Sequence, residues 1–166
     1  MKISKKRLTA RIVFIILSLA IMVTIALFSA ENGASSTKTS TGFIAFVLRA
    51  VYPGFEELSA DAAAAVIESL HLLVRKCAHF SIYALLGCFV SCASLTFICR
   101  KWKRPVVSLA ICVAYAISDE IHQYFVPARA CAATDVLIDS CGAALGICFA
   151  IFLLGYFLRR HIISAN

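Results

Sequence analysis

The sequence predicts an all-α, polytopic integral membrane bundle of about four transmembrane helices. Of its 166 residues, 61% are hydrophobic and only 15% are charged, and the mean hydropathy is +0.90. This balance is too apolar for a soluble domain. The net charge of +7 does not indicate nucleic-acid binding, because the basic residues form short clusters beside apolar runs, which is a topology pattern. We therefore expect a multi-pass protein of the cell membrane with no nucleic-acid partner.

Four apolar runs are long enough to cross a hydrocarbon core of roughly 30 Å. We place the spans at about residues 12–30, 77–99, 106–126 and 134–158. The first run follows a basic segment, as a cleaved signal peptide would. It is longer than a usual signal-peptide core, however, and it ends in Phe28-Ser29-Ala30, a poor cleavage site. We interpret it as an uncleaved first span.

The segment 31–74, between the first two spans, is the longest polar stretch. Residues 32–42 are rich in Ser, Thr and Gly and predict a loose loop. Residues 43–52 are apolar but too short to span, which predicts a segment at the membrane interface. Ser59 is a candidate N-cap for a helix that continues at helical spacing into the second span.

Lys and Arg gather in three segments: the N-terminus, the 100–104 turn and the C-terminal tail. Together these segments hold eleven of the sixteen basic residues. In a chain with four spans all three lie on the same side, which the positive-inside rule identifies as cytoplasmic. We therefore predict that both termini are cytoplasmic, that loop 31–74 is extracytoplasmic, and that residues 1–166 form a single membrane domain.

Ionisable residues of three spans reach the same depth, in the outer half of the membrane. Arg75, His79 and Tyr83 share one face of the second span. Asp135 and Asp139 are one turn apart where the fourth span begins. Because intramembrane charges are costly unless they are paired or face water, such a cluster is a candidate functional site.

The third span contributes the densest polar segment, 118–127. Asp119 lies about 10 Å from the outer end of this span and shares a face with His122 and Tyr115, whereas Glu120 points about 100° away, toward Tyr124. Together with the second and fourth spans and the turn after the third, this segment gives the candidate ligand-binding residues. They are Arg75, Lys76, His79, Tyr83, Asp119, Glu120, His122, Gln123, Arg129, Asp135 and Asp139.

Small residues inside the spans predict packing rather than chemistry. The eight cysteines lie mostly in apolar runs and show no CxxC or Cys/His spacing. The pattern therefore predicts neither a disulfide framework nor a cysteine-based zinc site. Gly142 and Gly146 continue the face of Asp139 and predict a close helix–helix contact.

The cluster allows more than one interpretation. Its four acids and three bases are nearly self-neutralising, so a network of ion pairs that joins the helices would need no ligand. Asp119 or Glu120 with His122 would suit acid–base catalysis. Metal binding by His122 with one of the aspartates is a weak signal, since no spacing such as HExxH is present. We expect no metal and no cofactor.

Three ordered segments resemble the VanZ-like family of bacterial membrane proteins. They are RKCAHFSIY at 75–83, SDEIHQ with FVP and Arg129 at 118–129, and DVLIDS with two glycines at 135–146. The resemblance covers about residues 12–155. One departure is Ala128, where the family commonly has glycine. The founding member is associated with low-level teicoplanin resistance, so the resemblance implies a cell-envelope phenotype rather than a particular reaction.

Three hypotheses follow for function. In the first, which we favour, the protein is not an enzyme. Its outward-facing pocket binds an anionic lipid-linked envelope molecule or a glycopeptide, and the bundle contacts membrane lipid. Arg75, His79 and Arg129 would hold the anionic group. In the second, an intramembrane enzyme modifies an envelope lipid with Asp119 or Glu120 and His122 as catalytic candidates. The third is a purely structural or partner-binding protein.

Overall fold

A computed structural model describes the backbone of residues 5–97, 100–129 and 131–163, and the side chains of these ranges except 6–7 and 154–163. The described part is all-helical, as predicted. Several basic residues of the topology prediction, including Lys2 and the tail arginines, lie outside the described side chains. The helices are α1 (Lys5–Ala30), α2 (Gly33–Val51), α3 (Ala60–Phe97), α4 (Lys103–Tyr124) and α5 (Ala133–Ile163), with a 3-10 turn at Phe55–Glu57.

Four of these helices are long and apolar enough to cross a membrane, which confirms the predicted number of spans. The candidate spans are Leu8–Ala30, Ala60–Phe97, Lys103–Tyr124 and Ala133–Leu153. Their outer faces carry exposed large apolar side chains along the whole bundle, as lipid contact requires.

The prediction of a loose loop over residues 32–42 is wrong, because this segment forms the first half of α2. Asn32 caps the helix: its side-chain oxygen accepts a hydrogen bond of 2.8 Å from the backbone N–H of Ser35. Thr37 and Ser40 bond back to carbonyls of the preceding turn. The hydroxyl residues that suggested a loop therefore satisfy themselves within the helix, and packing against α3 compensates for their modest helix propensity.

Helix α3 begins as the sequence predicts and runs unbroken into the second span. The hydroxyl of Ser59 accepts a hydrogen bond from the backbone N–H of Ala62, and 38 residues follow in one helix. At 1.5 Å per residue α3 is about 57 Å long, nearly twice the thickness of a hydrocarbon core. Only part of α3 can therefore lie within the membrane unless the helix is strongly tilted.

The centre of the bundle is a close contact between α3 and α5. A Cβ atom added at Gly146 would lie 1.8 Å from the carbonyl oxygen of Ala84, and one at Gly142 would lie 2.3 Å from that of Phe80. Gly87 of α3 makes the reciprocal approach to Ala143. The predicted glycine contact is confirmed, and it brings the polar residues of the two helices within reach of one another.

The two ends of the bundle differ in charge. Arg11, near the start of α1, donates to the carbonyl of Thr96 and lies over the ring of Phe97, 4.0 Å from its centroid. The start of α1 therefore lies beside the end of α3 and the basic turn that follows it. The polar cluster lies at the opposite end, which agrees with the reasoning behind the topology; the side of the membrane stays a prediction.

Candidate functional site

Two adjacent cavities open at the end of the bundle where α1 and α4 end and α5 begins. The apolar cavity, about 350 Å³, lies between α1, α2 and α3. The polar cavity, about 410 Å³, lies between α3, α4 and α5. The surface of the first is almost entirely apolar, with Ile25, Phe28, Phe43, Val74 and Ile82 in its lining, although polar side chains such as Glu31, Ser36 and Thr39 also reach it. Polar ones dominate the second, among them Lys76, Glu120, Gln123, Asp135 and Asp139. Three residues line both: Arg75, His79 and Arg129.

Arg129 ties the turn between α4 and α5 to the end of α1. Its guanidinium donates to the carbonyls of Phe28 and Glu31, at 2.8 and 2.9 Å, and to the side-chain oxygen of Gln123 at 3.0 Å. All three acceptors are neutral. Burial, together with the nearby guanidinium of Arg75, lowers the pKa of Arg129 from its ordinary value. An anion between the two arginines would relieve this unfavourable arrangement.

The turn that presents Arg129 contains a strained alanine. Ala128 has φ of 59°, in the left-handed region that favours glycine. Its carbonyl lies against Gly33 at the start of α2, where an added Cβ would be 1.9 Å from the oxygen. The backbone N–H of Gly33 also donates to Pro127. The turn is therefore held between α1 and α2, and a glycine at position 128 would adopt this backbone conformation without strain.

Arg75 is half-buried at the junction of the two cavities. Within the described ranges its side chain makes no hydrogen bond or ion pair. Lys76, its neighbour, forms an ion pair of 2.8 Å with Asp135. The cluster thus contains one partnered cation at its edge and two arginines, Arg75 and Arg129, that contact no carboxylate in the described part of the chain.

Two acids of the cluster, Asp119 and Glu120, accept hydrogen bonds from neutral donors. Asp119 is 4% exposed, and its Oδ2 accepts bonds of 3.0 Å from Ser29 and from Gln123. Glu120 accepts a bond of 2.6 Å from the backbone N–H of Ala132, just before α5 begins. Glu120 therefore satisfies a free donor at a helix N-terminus. Glu120 lies about 100° around α4 from Asp119, and both side chains are buried, whereas Tyr124 is exposed.

Deeper in the bundle, His79 and two aspartates approach one another. One ligand-type atom from each of His79, Asp119 and Asp139 lies within 4.8 Å of the others. The distance from His79 Nδ1 to Asp139 Oδ1 is 3.8 Å, too long for a hydrogen bond. Tyr83 is fully buried beside this group and packs against the ring of Tyr115. Of the described residues, His79, Asp119 and Asp139 are the ones whose ligand atoms lie close enough together to hold a metal ion.

Comparison with known proteins identifies the family of the chain. The family model described as VanZ/LLP1 matches residues 14–155. The chain belongs to the VanZ/LLP1 family. No curated protein and no solved structure matches it. Family membership and four long apolar helices identify a membrane protein of the VanZ type, and the family resemblance of the three motifs is confirmed.

His122 is the one candidate site residue that the structure places apart. It is exposed and lines neither cavity of this VanZ-family bundle. The buried arc of α4 includes Cys112, Ala116, Asp119 and Gln123, and His122 lies about 90° from the centre of that arc at 100° per residue. The acid–base pair predicted from Asp119 or Glu120 with His122 is therefore not assembled.

Two parts of the candidate site were not predicted from the sequence: Ser29 and the polar face of α2. Ser29 is fully buried and bonds to Asp119, yet a single hydroxyl in an apolar run gives no distinctive pattern. The polar face of α2 lines the apolar cavity through Ser36, Thr39 and Ser40. Its helical spacing of i, i+3, i+4 was the available signal, and the loop interpretation of residues 32–42 concealed it.

Proposed function

We propose that this VanZ-family protein binds an anionic, lipid-linked molecule of the bacterial cell envelope. The anionic group is held between Arg75 and Arg129, and the lipid chain occupies the apolar cavity. Guanidinium groups suit phosphate and carboxylate because they donate in a planar fork. The apolar cavity has a volume of about 350 Å³, room for a hydrocarbon segment, and shares both arginines with the polar cavity.

The observation that carries this proposal is the separation of charge within the cluster. A purely structural network would pair its arginines with its acids, since an unpaired buried charge is costly. Here Arg129 donates only to neutral oxygens, and Arg75 has no hydrogen-bond or ion-pair partner among the described residues. Two positive groups at a cavity junction favour a binding site over a self-neutralising network.

An outward-facing pocket and a part in low-level glycopeptide tolerance belong to the same proposal. The orientation follows from the positive-inside rule, and the phenotype follows from the family resemblance. Binding a lipid-linked envelope molecule would alter what a lipid-anchored glycopeptide of the teicoplanin type meets at the outer surface. Labelling a Lys38→Cys variant tests the orientation: reaction only from the cytoplasmic side would contradict it.

Arg75→Gln is the most informative variant, because it removes a charge that holds no other residue in place. We expect it to abolish teicoplanin tolerance while membrane abundance stays normal. Arg49→Gln is the matched control: Arg49 is exposed and pairs with Glu56 away from both cavities. Equal tolerance in the two variants at equal abundance would contradict the proposal.

A direct binding measurement complements the phenotype. The purified protein in detergent should retain phosphatidylglycerol more strongly than phosphatidylethanolamine in native mass spectrometry, and Arg75→Gln should remove this preference. Envelope lipids of cells with and without the protein, compared by mass spectrometry, test the alternative of a lipid-modifying enzyme. A new or missing lipid species would favour the enzyme.

A further inference from the structure

We propose that His79, Asp119 and Asp139 bind a first-row divalent metal cation. The three side chains come from α3, α4 and α5, so one ion would join three of the four candidate spans. This site lies beneath the arginines and is independent of the anion-binding proposal: either can hold if the other fails.

The distances suit an ion. Ligand atoms that bind one cation at about 2.1 Å stand roughly 3 to 4 Å apart. The 3.8 Å between His79 Nδ1 and Asp139 Oδ1 falls in this range. The complete set lies within 4.8 Å, so small side-chain rotations bring Asp119 to coordination distance. Ser29 and Gln123 both donate to Oδ2 of Asp119. Their bonds fix this carboxylate and leave Oδ1 for another partner.

Two buried oxygen atoms at this point lack the partners that burial demands. Asp139 is 2% exposed and its Oδ1 accepts no hydrogen bond from the described residues. Tyr83 is 0% exposed, and its hydroxyl, beside Asp119, completes no hydrogen bond of normal geometry there. Buried polar atoms are normally satisfied. The two atoms belong to different helices, α3 and α5, so two separate buried oxygens near this point have capacity for a further partner.

The local charge also favours a cation. The only Lys or Arg paired with an acid of the described cluster is Lys76, and its partner is Asp135. Asp119 and Asp139 therefore receive no ion pair from Lys or Arg in this part of the chain. A divalent cation would offset two carboxylates in a setting where unpaired charges are costly.

The donor set indicates which cation. One imidazole nitrogen with two carboxylates suits Zn²⁺, Mn²⁺ or Fe²⁺ better than Ca²⁺ or Mg²⁺, which prefer oxygen alone. The ion has a route to the site, because His79 and Asp139 both line the polar cavity.

The test uses the full-length protein in detergent, stripped with EDTA, reloaded with Zn²⁺ and freed of excess ion. Elemental mass spectrometry should find about one zinc per chain, and His79→Ala and Asp139→Asn should each lose it. His71→Ala and Asp61→Asn are matched controls on α3, outside both cavities, and should retain it. Zinc content equal in the site variants and the controls would overturn the proposal.

Cobalt distinguishes this site from binding by the cysteines. Co²⁺ in the wild-type protein should give visible ligand-field bands without an intense thiolate charge-transfer band. Thiolate absorption that accounts for all the bound cobalt would overturn the proposal. If a site variant does not fold, the wild-type melting temperature remains decisive: Zn²⁺ should raise it more than Mg²⁺ does. No rise with Zn²⁺, Mn²⁺ or Co²⁺ would also overturn the proposal.

Discussion

Ser29 of α1 donates a hydrogen bond of 3.0 Å to Asp119 of α4. Gln123 donates to the same carboxylate oxygen and accepts from Arg129. A continuous chain of hydrogen bonds therefore runs from the first span, through the third, to the turn before the fourth. It fixes the positions of one acid and one arginine of the candidate site relative to each other.

Replacing Ser29 by Ala should destabilise the bundle, because a buried carboxylate loses one of its two donors. We expect a loss of about 1 to 2 kcal/mol in the free energy of unfolding, measured by SDS titration in mixed micelles. Thr24→Ala is the control on the same helix: Thr24 is exposed and bonds only to the carbonyl of Ala20. A loss in Thr24→Ala as large as in Ser29→Ala would show that the Asp119 bond is not responsible.

Substitutions of Arg129 and Arg75 should affect the stability of the bundle to different degrees. Arg129→Lys removes a fork that makes three hydrogen bonds, and we expect a loss of about 2 kcal/mol in the free energy of unfolding. Arg75→Gln should change that quantity by less than about 0.5 kcal/mol, because Arg75 has no hydrogen-bond or ion-pair partner in the described ranges. The same SDS titration measures both. A large loss in Arg75→Gln would mean that Arg75 supports the fold.

The glycines of α5 should tolerate no side chain. Gly146→Ala places a methyl group 1.8 Å from the backbone oxygen of Ala84, so α3 and α5 must separate, at a cost of about 3 kcal/mol. Gly42→Ala is the control, because a Cβ at Gly42 meets nothing within 4 Å. It should stabilise α2 by about 0.5 to 1 kcal/mol. Thermal unfolding in detergent should shift in opposite directions for the two variants; a shift in the same direction would contradict the packing.

Ala128→Gly should stabilise the turn before α5. The backbone at position 128 has φ of 59°, which costs an alanine about 1 kcal/mol more than a glycine. We expect a gain of about 1 kcal/mol in the free energy of unfolding. Ala133→Gly, at the start of α5, should be neutral or destabilising and controls for general effects of glycine. A loss of stability in Ala128→Gly would show that the alanine side chain contributes contacts that outweigh its backbone strain.

The fold was largely predictable, because lipid-facing helices need long apolar runs that stand out in a sequence. The segment that became α2 was not, since its Ser and Thr residues suggest a loop until their bonds to the preceding turn are seen. Charged candidates such as Arg75 and Asp139 were visible because charges are rare in spans. The exposure of His122 could not be predicted, because helical spacing shows which residues share a face but not which face turns inward. Ser29 carried no signal at all.

The length of α3 has a consequence for the size of any ligand. Arg75 lies fifteen residues after the start of α3 at Ala60, which corresponds to about 22 Å of helix between Arg75 and that end of α3. A molecule whose anionic group is held at Arg75 can place its headgroup alongside residues 60–74 of α3. Residues 60–74 of α3 therefore limit the contact: affinity should change with headgroup length only until the headgroup reaches the start of α3 at Ala60.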